Sequence, residues 1–139
     1  MLEQITVFLE NTEGRLAKMC RCVSEAGVSM YALTIADTSD YGVVRVICDD
    51  PAKAVAALND GGYRAIVTKV VGVAVPNVPG GLAGLLEVLD RLDLNIEYGY
   101  CFSLKDELAV DVLKIQGAEQ AVEAIAGAGF KLVELDDLK

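Results

Sequence analysis

The chain has 139 residues, 53% of them hydrophobic and 24% charged, which is enough apolar content for the core of one medium domain or two small ones. Its net charge of −9 gives a surface that repels phosphate backbones, so direct nucleic-acid binding is not expected, and no stretch approaches the about 20 apolar residues of a membrane span. Histidine is absent, which removes the commonest general base, the commonest zinc ligand and every Ser-His or Cys-His nucleophile pair.

Met1 leads straight into a strand-like alternation with no basic leader, and the expectation is a cytoplasmic protein with neither cofactor nor metal. Ile5, Val7 and Leu9 alternate as in a half-buried strand, and Leu16, Cys20 and Val23 then recur at helical spacing. Cys20 and Cys22, two apart on that helix, point to different faces, so Cys20, Cys22, Cys48 and Cys101 read as small buried hydrophobes rather than a metal or disulfide set. The stretches 28-VSMYALTIAD and 41-YGVVRVICD read as two strands around a polar turn from Thr38 to Asp40. In 51-PAKAVAALNDGG, Asp50 can cap a helix, Pro51 suits its first position and Gly61-Gly62 ends it, before a short strand from Arg64 to Val70.

The pattern then starts again. The segment 5-ITVFLENTEGRLAK aligns with 71-VGVAVPNVPGGLAG at an offset of 66, and 54-AVAALNDGGY aligns with 121-AVEAIAGAGF at 67. Val71, Val73 and Val75 form the strand; Leu82, Leu86 and Leu89 form the helix. The stretches 94-LNIEYGYCFS and 108-LAVDVLKI follow around Leu104 to Glu107, with a last strand from Lys131 to Leu135. The predicted fold is α+β: two ferredoxin-like βαββαβ units over residues 1–69 and 70–139, side by side, each an antiparallel sheet with both helices on one face. Residues 64–75 have no linker composition, so the two units are expected to be rigidly coupled.

An Asn followed by Gly-x-Leu at the first strand-to-helix turn (Asn11, Gly14, Leu16; Asn77, Gly80, Leu82), a second strand entered from "AGVSM" or "LDLNI", and the segments "ENTEGRL", "IADTSDYGVVRVICDDP", "VPNVPGGL" and "IEYGY" resemble the ACT domain, and across the whole chain its stand-alone tandem proteins. The resemblance implies a regulatory module that binds small molecules, most often amino acids, between one unit's first turn and a neighbouring unit's second strand. The familiar attached enzyme or DNA-binding domain is missing from these residues, so the regulated partner is not indicated.

A helix N-terminus offers unpaired N–H groups to a carboxylate without any basic side chain. At the second turn Gly80 and Gly81 would let a ligand carboxylate approach, Asn77 could accept from its ammonium group, and Leu82 and Pro79 flank them. The first turn offers Asn11, Gly14, Arg15 and Leu16, with Glu13 adding negative charge. The plainer alternative is that Asn11 and Asn77 cap the helices and the glycines supply a positive φ. Without a Gly-Lys-Ser/Thr string, the glycines do not indicate a nucleotide. On the second strands, Asp37 and Thr38 could contact an amino group or only begin a turn, and Tyr98 and Tyr100, on one face at period two, could wall a pocket or pack as core.

Arg45 and Asp111, 66 apart among valines of the third strands, read as equivalent positions that pair with each other or with symmetry mates across the sheet face away from the helices, or else as solvated charges. That face is otherwise apolar, with Phe8, Val43 and Ile47 in one unit and Gly72, Ala74, Ala109 and Leu113 in the other, and a homodimer packed through it is expected. Three function classes follow: an amino-acid-binding regulatory module, a ligand-free assembly subunit, and, least favoured, a Cys or Lys enzyme.

Overall fold

A computed structural model describes residues 1–37, 41–103 and 108–139. The elements in chain order are β1 (Leu2–Glu10), α1 (Arg15–Glu25), β2 (Met30–Asp37), β3 (Tyr41–Cys48), α2 (Pro51–Asp60), β4 (Arg64–Pro76), α3 (Gly81–Asp90), β5 (Ile96–Ser103), β6 (Leu108–Ile115), α4 (Ala118–Gly127), β7 (Lys131–Leu132) and α5 (Leu135–Leu138). The chain divides into two compact units, Glu3–Thr68 and Lys69–Lys139 with Met1–Leu2.

In the first unit the strands run in the order β2-β3-β1-β4, antiparallel where β1 and β2 meet β3. The period-two alternation sends Ile5, Val7 and Leu9 of β1 and Val44, Val46 and Cys48 of β3 to one side, where they meet Met19 and Val23 of α1 and Ala54 and Leu58 of α2. Each such aliphatic side chain contributes about 1.5–3 kcal/mol on burial, and this sets which face the helices cover. The second helix starts as the sequence predicts: the Asp50 side chain accepts from the Lys53 N–H at 3.1 Å, and Pro51 occupies the first turn. In its last turn, the Asn59 side chain donates to and accepts from the Ala65 backbone at 3.0 and 3.1 Å, tying the helix to the start of β4.

The second unit repeats the plan with strand order β7-β4-β6-β5. Val71, Val73, Val75, Leu113 and Ile115 form its helix-side core with Leu85, Leu89, Ala121 and Ile125. A β-bulge recurs at the start of both second strands, between Met30 and Ala32 and between Ile96 and Tyr98. As the lack of linker composition over 64–75 leads one to expect, β4 runs unbroken from Arg64 to Pro76. One departure from expectation is the predicted strand from Lys131 to Leu135, which is only Lys131–Leu132. Glu134 ends it by capping α5, its side chain and that of Asp137 each accepting the other's backbone N–H.

The larger correction concerns the third strands. Ile5 pairs with Val46 and Thr6 with Arg45, but Val71 pairs with Leu113 and Val73 with Asp111. The equivalent of Arg45 is therefore Val112, and Asp111 is the equivalent of Val44. The extra residue lies in the hairpin, since three residues separate Asp37 from Tyr41 and four separate Ser103 from Leu108. A one-residue slip exchanges the faces of a strand. Arg45 thus lies on the face away from the helices, opposite Thr6 and Thr34, while Asp111, Leu113 and Ala109 lie on the helix side of their own sheet. Asp111 is therefore not on the face away from the helices where pairing with Arg45 was expected, and Leu113 packs in the helix-side core. The first unit's outer face is also less apolar than expected: Gln4 is fully buried there and donates to Thr6 Oγ1 at 2.9 Å, which lies 2.9 Å from Thr68 Oγ1. Ile47 is likewise already buried, leaving half-buried Val43 and the more open Phe8, whose ring lies 5.5 Å from the Arg64 guanidinium.

Candidate functional site

Each unit carries the same tight turn between its first strand and first helix. In the first, Thr12 N–H donates to the Glu10 carbonyl at 2.8 Å, Arg15 to Thr12 at 3.3 Å and Lys18 to Gly14 at 3.1 Å; in the second, Val78 donates to Pro76 at 2.9 Å, Gly81 to Val78 at 3.0 Å and Gly84 to Gly80 at 3.0 Å. Gly14 and Gly80 are the residues before the helices, with φ of +83° and +85°, and no side chain caps either helix. The positive φ is what glycine supplies here. Asn11 and Asn77 are consequently not the caps that the plainer sequence alternative made them.

A cavity of about 130 Å³ opens beside the first turn, lined by Leu9, Glu10, Asn11, Thr12, Leu16, Ile35, Gly42 and Val44. It is smaller than the roughly 300–1,000 Å³ clefts that hold drug-sized ligands. Of the first-turn residues singled out in the sequence, Asn11 and Leu16 line it. Arg15 does not: its guanidinium lies over the Tyr63 ring, 4.8 Å from the centroid. Asp37 ends β2 opposite Gly42, and Thr38 lies outside the described residues.

In the second unit Asn77, Pro79 and Gly80 are exposed at the turn, and Leu82 beyond them is 47% exposed. Gly81 has a structural requirement of its own, because a Cβ there would collide with the Pro76 carbonyl oxygen. Tyr98 and Tyr100 do share a face, as period two predicts, but it is the face of Val112 and Val110, away from the helix and its turn. The bulge at Ile96 has turned the strand, so Gly99, Cys101 and Ser103 face the helix side, opposite Leu113, Asp111 and Ala109. Cys101 is exposed, unlike buried Cys48, whose thiol burial pushes up. All four cysteines are free.

The sequence does not mark Asp111 and Cys101 as residues of this side of the second sheet, nor Gly42 and Val44 as lining the first cavity, whereas Ile35 of the second strand is among the residues expected there. The longer second hairpin was the available signal, since it alone sets the third-strand offset at 67. Asp111 is only 6% exposed, and burial raises its carboxyl above the ordinary range.

A family model for an ACT domain pair matches residues 1–139. The chain belongs to the ACT domain-pair family. This ACT pair superposes on a solved protein from Bacteroides thetaiotaomicron with a TM-score of 0.93 and 34% identity, over 99% of this chain and 94% of that one. It shares its fold with the regulatory subunit of aspartate kinase from Thermus thermophilus, at a TM-score of 0.67 and 20% identity over 91% of this chain and 92% of that one. The corresponding subunit from Thermus flavus gives 0.61 and 22%, covering 91% of each. Comparison with the curated proteins finds no match. The ACT pair is thus an α+β regulatory fold of two ferredoxin-like units.

Proposed function

We propose that this ACT pair is a non-catalytic regulatory module that binds an amino acid at its glycine-led strand-to-helix turns and signals to a protein partner by changing its assembly. The supporting observation is the duplicated turn: Gly14 and Gly80 at positive φ start a helix with no side-chain cap, so beyond Arg15 and Gly81, whose N–H groups bond Thr12 and Val78, the next amides of each first turn are left for a carboxylate. In the first unit this turn borders a cavity of about 130 Å³. The proposed contacts are Asn11, Gly14 and Leu16 in one unit and Asn77, Pro79, Gly80, Gly81 and Leu82 in the other. The module is proposed to act in the reducing cytoplasm, where its free cysteines persist as thiols.

Self-association is proposed to use the edge of β2 rather than the outer sheet face. β2 ends the strand order of its sheet and carries Leu33 at 38% and Ile35 at 50% exposure. A ligand-free assembly subunit is the second reading, favoured by the purely steric need for Gly81.

Thermal-shift screening against the proteinogenic amino acids separates the two. A ligand at 100 times its dissociation constant adds about 2.7 kcal/mol of stability, or a rise on the order of 10 °C; a structural subunit does not move. Replacing Gly80 by Phe should remove the shift while the protein still unfolds cooperatively.

A further inference from the structure

Away from its glycine turn, toward the C-terminal end of α3, the second unit holds a cleft of about 460 Å³. Leu86 and Leu89 of α3, Leu94 of the following loop and Ile96 at the start of β5 form its apolar wall, and Glu87 and Asp90 stand at its rim. Its size is within the roughly 300–1,000 Å³ of small-molecule sites, whose usual make-up is an apolar wall with a few polar groups. The cleft is open because β5 is the last strand in the order of its sheet, so no further strand of the unit flanks Ile96. Leu89 is fully buried, but Leu86, Leu94 and Ile96 are only half-buried, which leaves apolar surface to water.

The repeat separates what the fold requires here from what it does not. In the first unit Cys20, Val23, Val28 and Met30 stand 66 residues before Leu86, Leu89, Leu94 and Ile96. The connection is the same, since Val28 N–H donates to the Val23 carbonyl at 3.3 Å as Leu94 N–H does to Leu89 at 3.4 Å. The apolar wall is therefore common to both units. The charge is not: Arg21, Ser24 and Gly27 become Glu87, Asp90 and Asp93. Residues 21–31 carry Arg21 and Glu25 and sum to zero, whereas residues 87–97 carry Glu87, Asp90, Asp93 and Glu97 against Arg91 alone and sum to −3. Asp93 takes a φ of +53° where Gly27 takes +77°, a backbone that costs every residue but glycine. Among the described residues no cation pairs with Glu87 or Asp90, and no group of side chains could hold a metal ion.

We propose that this cleft binds a small organic cation: a protonated amine on an aromatic or aliphatic body, without a carboxylate. The body replaces water on Leu86, Leu94 and Ile96. The ammonium group meets Glu87 and Asp90, which are three apart and so share one face of α3. An anion is repelled by this rim, and a free amino acid brings its own carboxylate against it. The site is thus separate, in place and in ligand class, from the glycine turns.

The test uses the full chain with phenethylamine, 2-phenylethanol, 3-phenylpropionate and phenylalanine, which share one aromatic body and differ in charge. Titrations followed through the methyl NMR signals of Leu86, Leu94 and Ile96 should show saturable binding of phenethylamine, weaker binding of the alcohol and no response to the two carboxylates. The double substitution Glu87→Gln, Asp90→Asn should weaken phenethylamine about fivefold, the size of two exposed ion pairs, and leave the alcohol unchanged. Added salt should weaken phenethylamine on wild type in the same direction. Ala83→Trp, at an exposed lining position of α3, should close the cleft to both. No shift of these methyls with phenethylamine, equal binding of 3-phenylpropionate, or an affinity that the double substitution leaves unchanged overturns the inference. Phenylalanine moving these methyls as strongly as phenethylamine also overturns it, whereas the amino-acid reading is judged by amide shifts at Asn77 and Gly80, so the two fail separately.

Discussion

Replacing Asp111 by valine should stabilise the unliganded protein, and by an amount the structure sets. Asp111 as a whole residue is 6% exposed and sits between Val73 and Cys101 on the helix side of its sheet. Burial disfavours its charged form, and the valine that replaces it adds apolar burial at about 0.8 kcal/mol per CH₂. A gain of about 1–2 kcal/mol follows, or roughly 3–8 °C in Tm for a chain of this size. The pH dependence has a definite sign. Burial raises the folded-state carboxyl, so between its unfolded and folded values the folded protein binds more protons than the unfolded one. Wild-type stability therefore falls as pH rises through that window, and below it the carboxyl is neutral in both states. Urea unfolding of wild type and Asp111→Val at several pH values should show a gap that is small in acid and widens to a plateau toward neutrality. A variant that is less stable at neutral pH, or a gap that does not change with pH, would refute the reasoning.

Gly81→Ala should destabilise the protein by about 1–3 kcal/mol, because the new Cβ meets the Pro76 carbonyl; Gly80→Ala, whose Cβ points into open space, should lose only the about 1–2 kcal/mol of the left-handed backbone. Equilibrium denaturation of the two variants checks the difference. Asp50→Ala removes the cap on Lys53 N–H and should cost about 0.5–2 kcal/mol, read the same way. Under limiting iodoacetamide, peptide mapping should find Cys101 labelled first and Cys48 last, since Cys48 is buried and its thiol is raised by that burial. Sedimentation should show a dimer that Ile35→Lys on the β2 edge converts to monomer, while Val43→Lys on the outer face does not.

Local patterns carried much of the fold. The alternation of Ile5, Val7 and Leu9 and of their counterparts at 71, 73 and 75 marked strands whose inward faces are the ones observed. Asp50 and Pro51 marked a helix start that forms as drawn. The glycines at 14 and 80 were legible as positive-φ positions because nothing else tolerates that backbone cheaply. The last strand is cut short for an equally local reason: the Glu134 and Asp137 capping box starts α5 where the β-like run was expected to continue.

The candidate site was less legible, because it depends on which face a residue occupies, and face is a matter of register. Tyr98 and Tyr100 share a side, as alternation requires, yet a bulge decides that the side is away from the turn. Arg45 and Asp111 look equivalent at an offset of 66 and are not, since one extra hairpin residue moves β6 by a step. Arg15 looked like a ligand cation and instead lies over Tyr63, which is 48 residues away in the chain. The sequence by itself determined the repeat, the order of elements and the glycine turns, because those follow from backbone preferences and from the periods of strand and helix. Only the tertiary structure decided which side chains meet beneath the turns, because a strand's pairing partner and register, and not its own composition, fix the face that each residue presents.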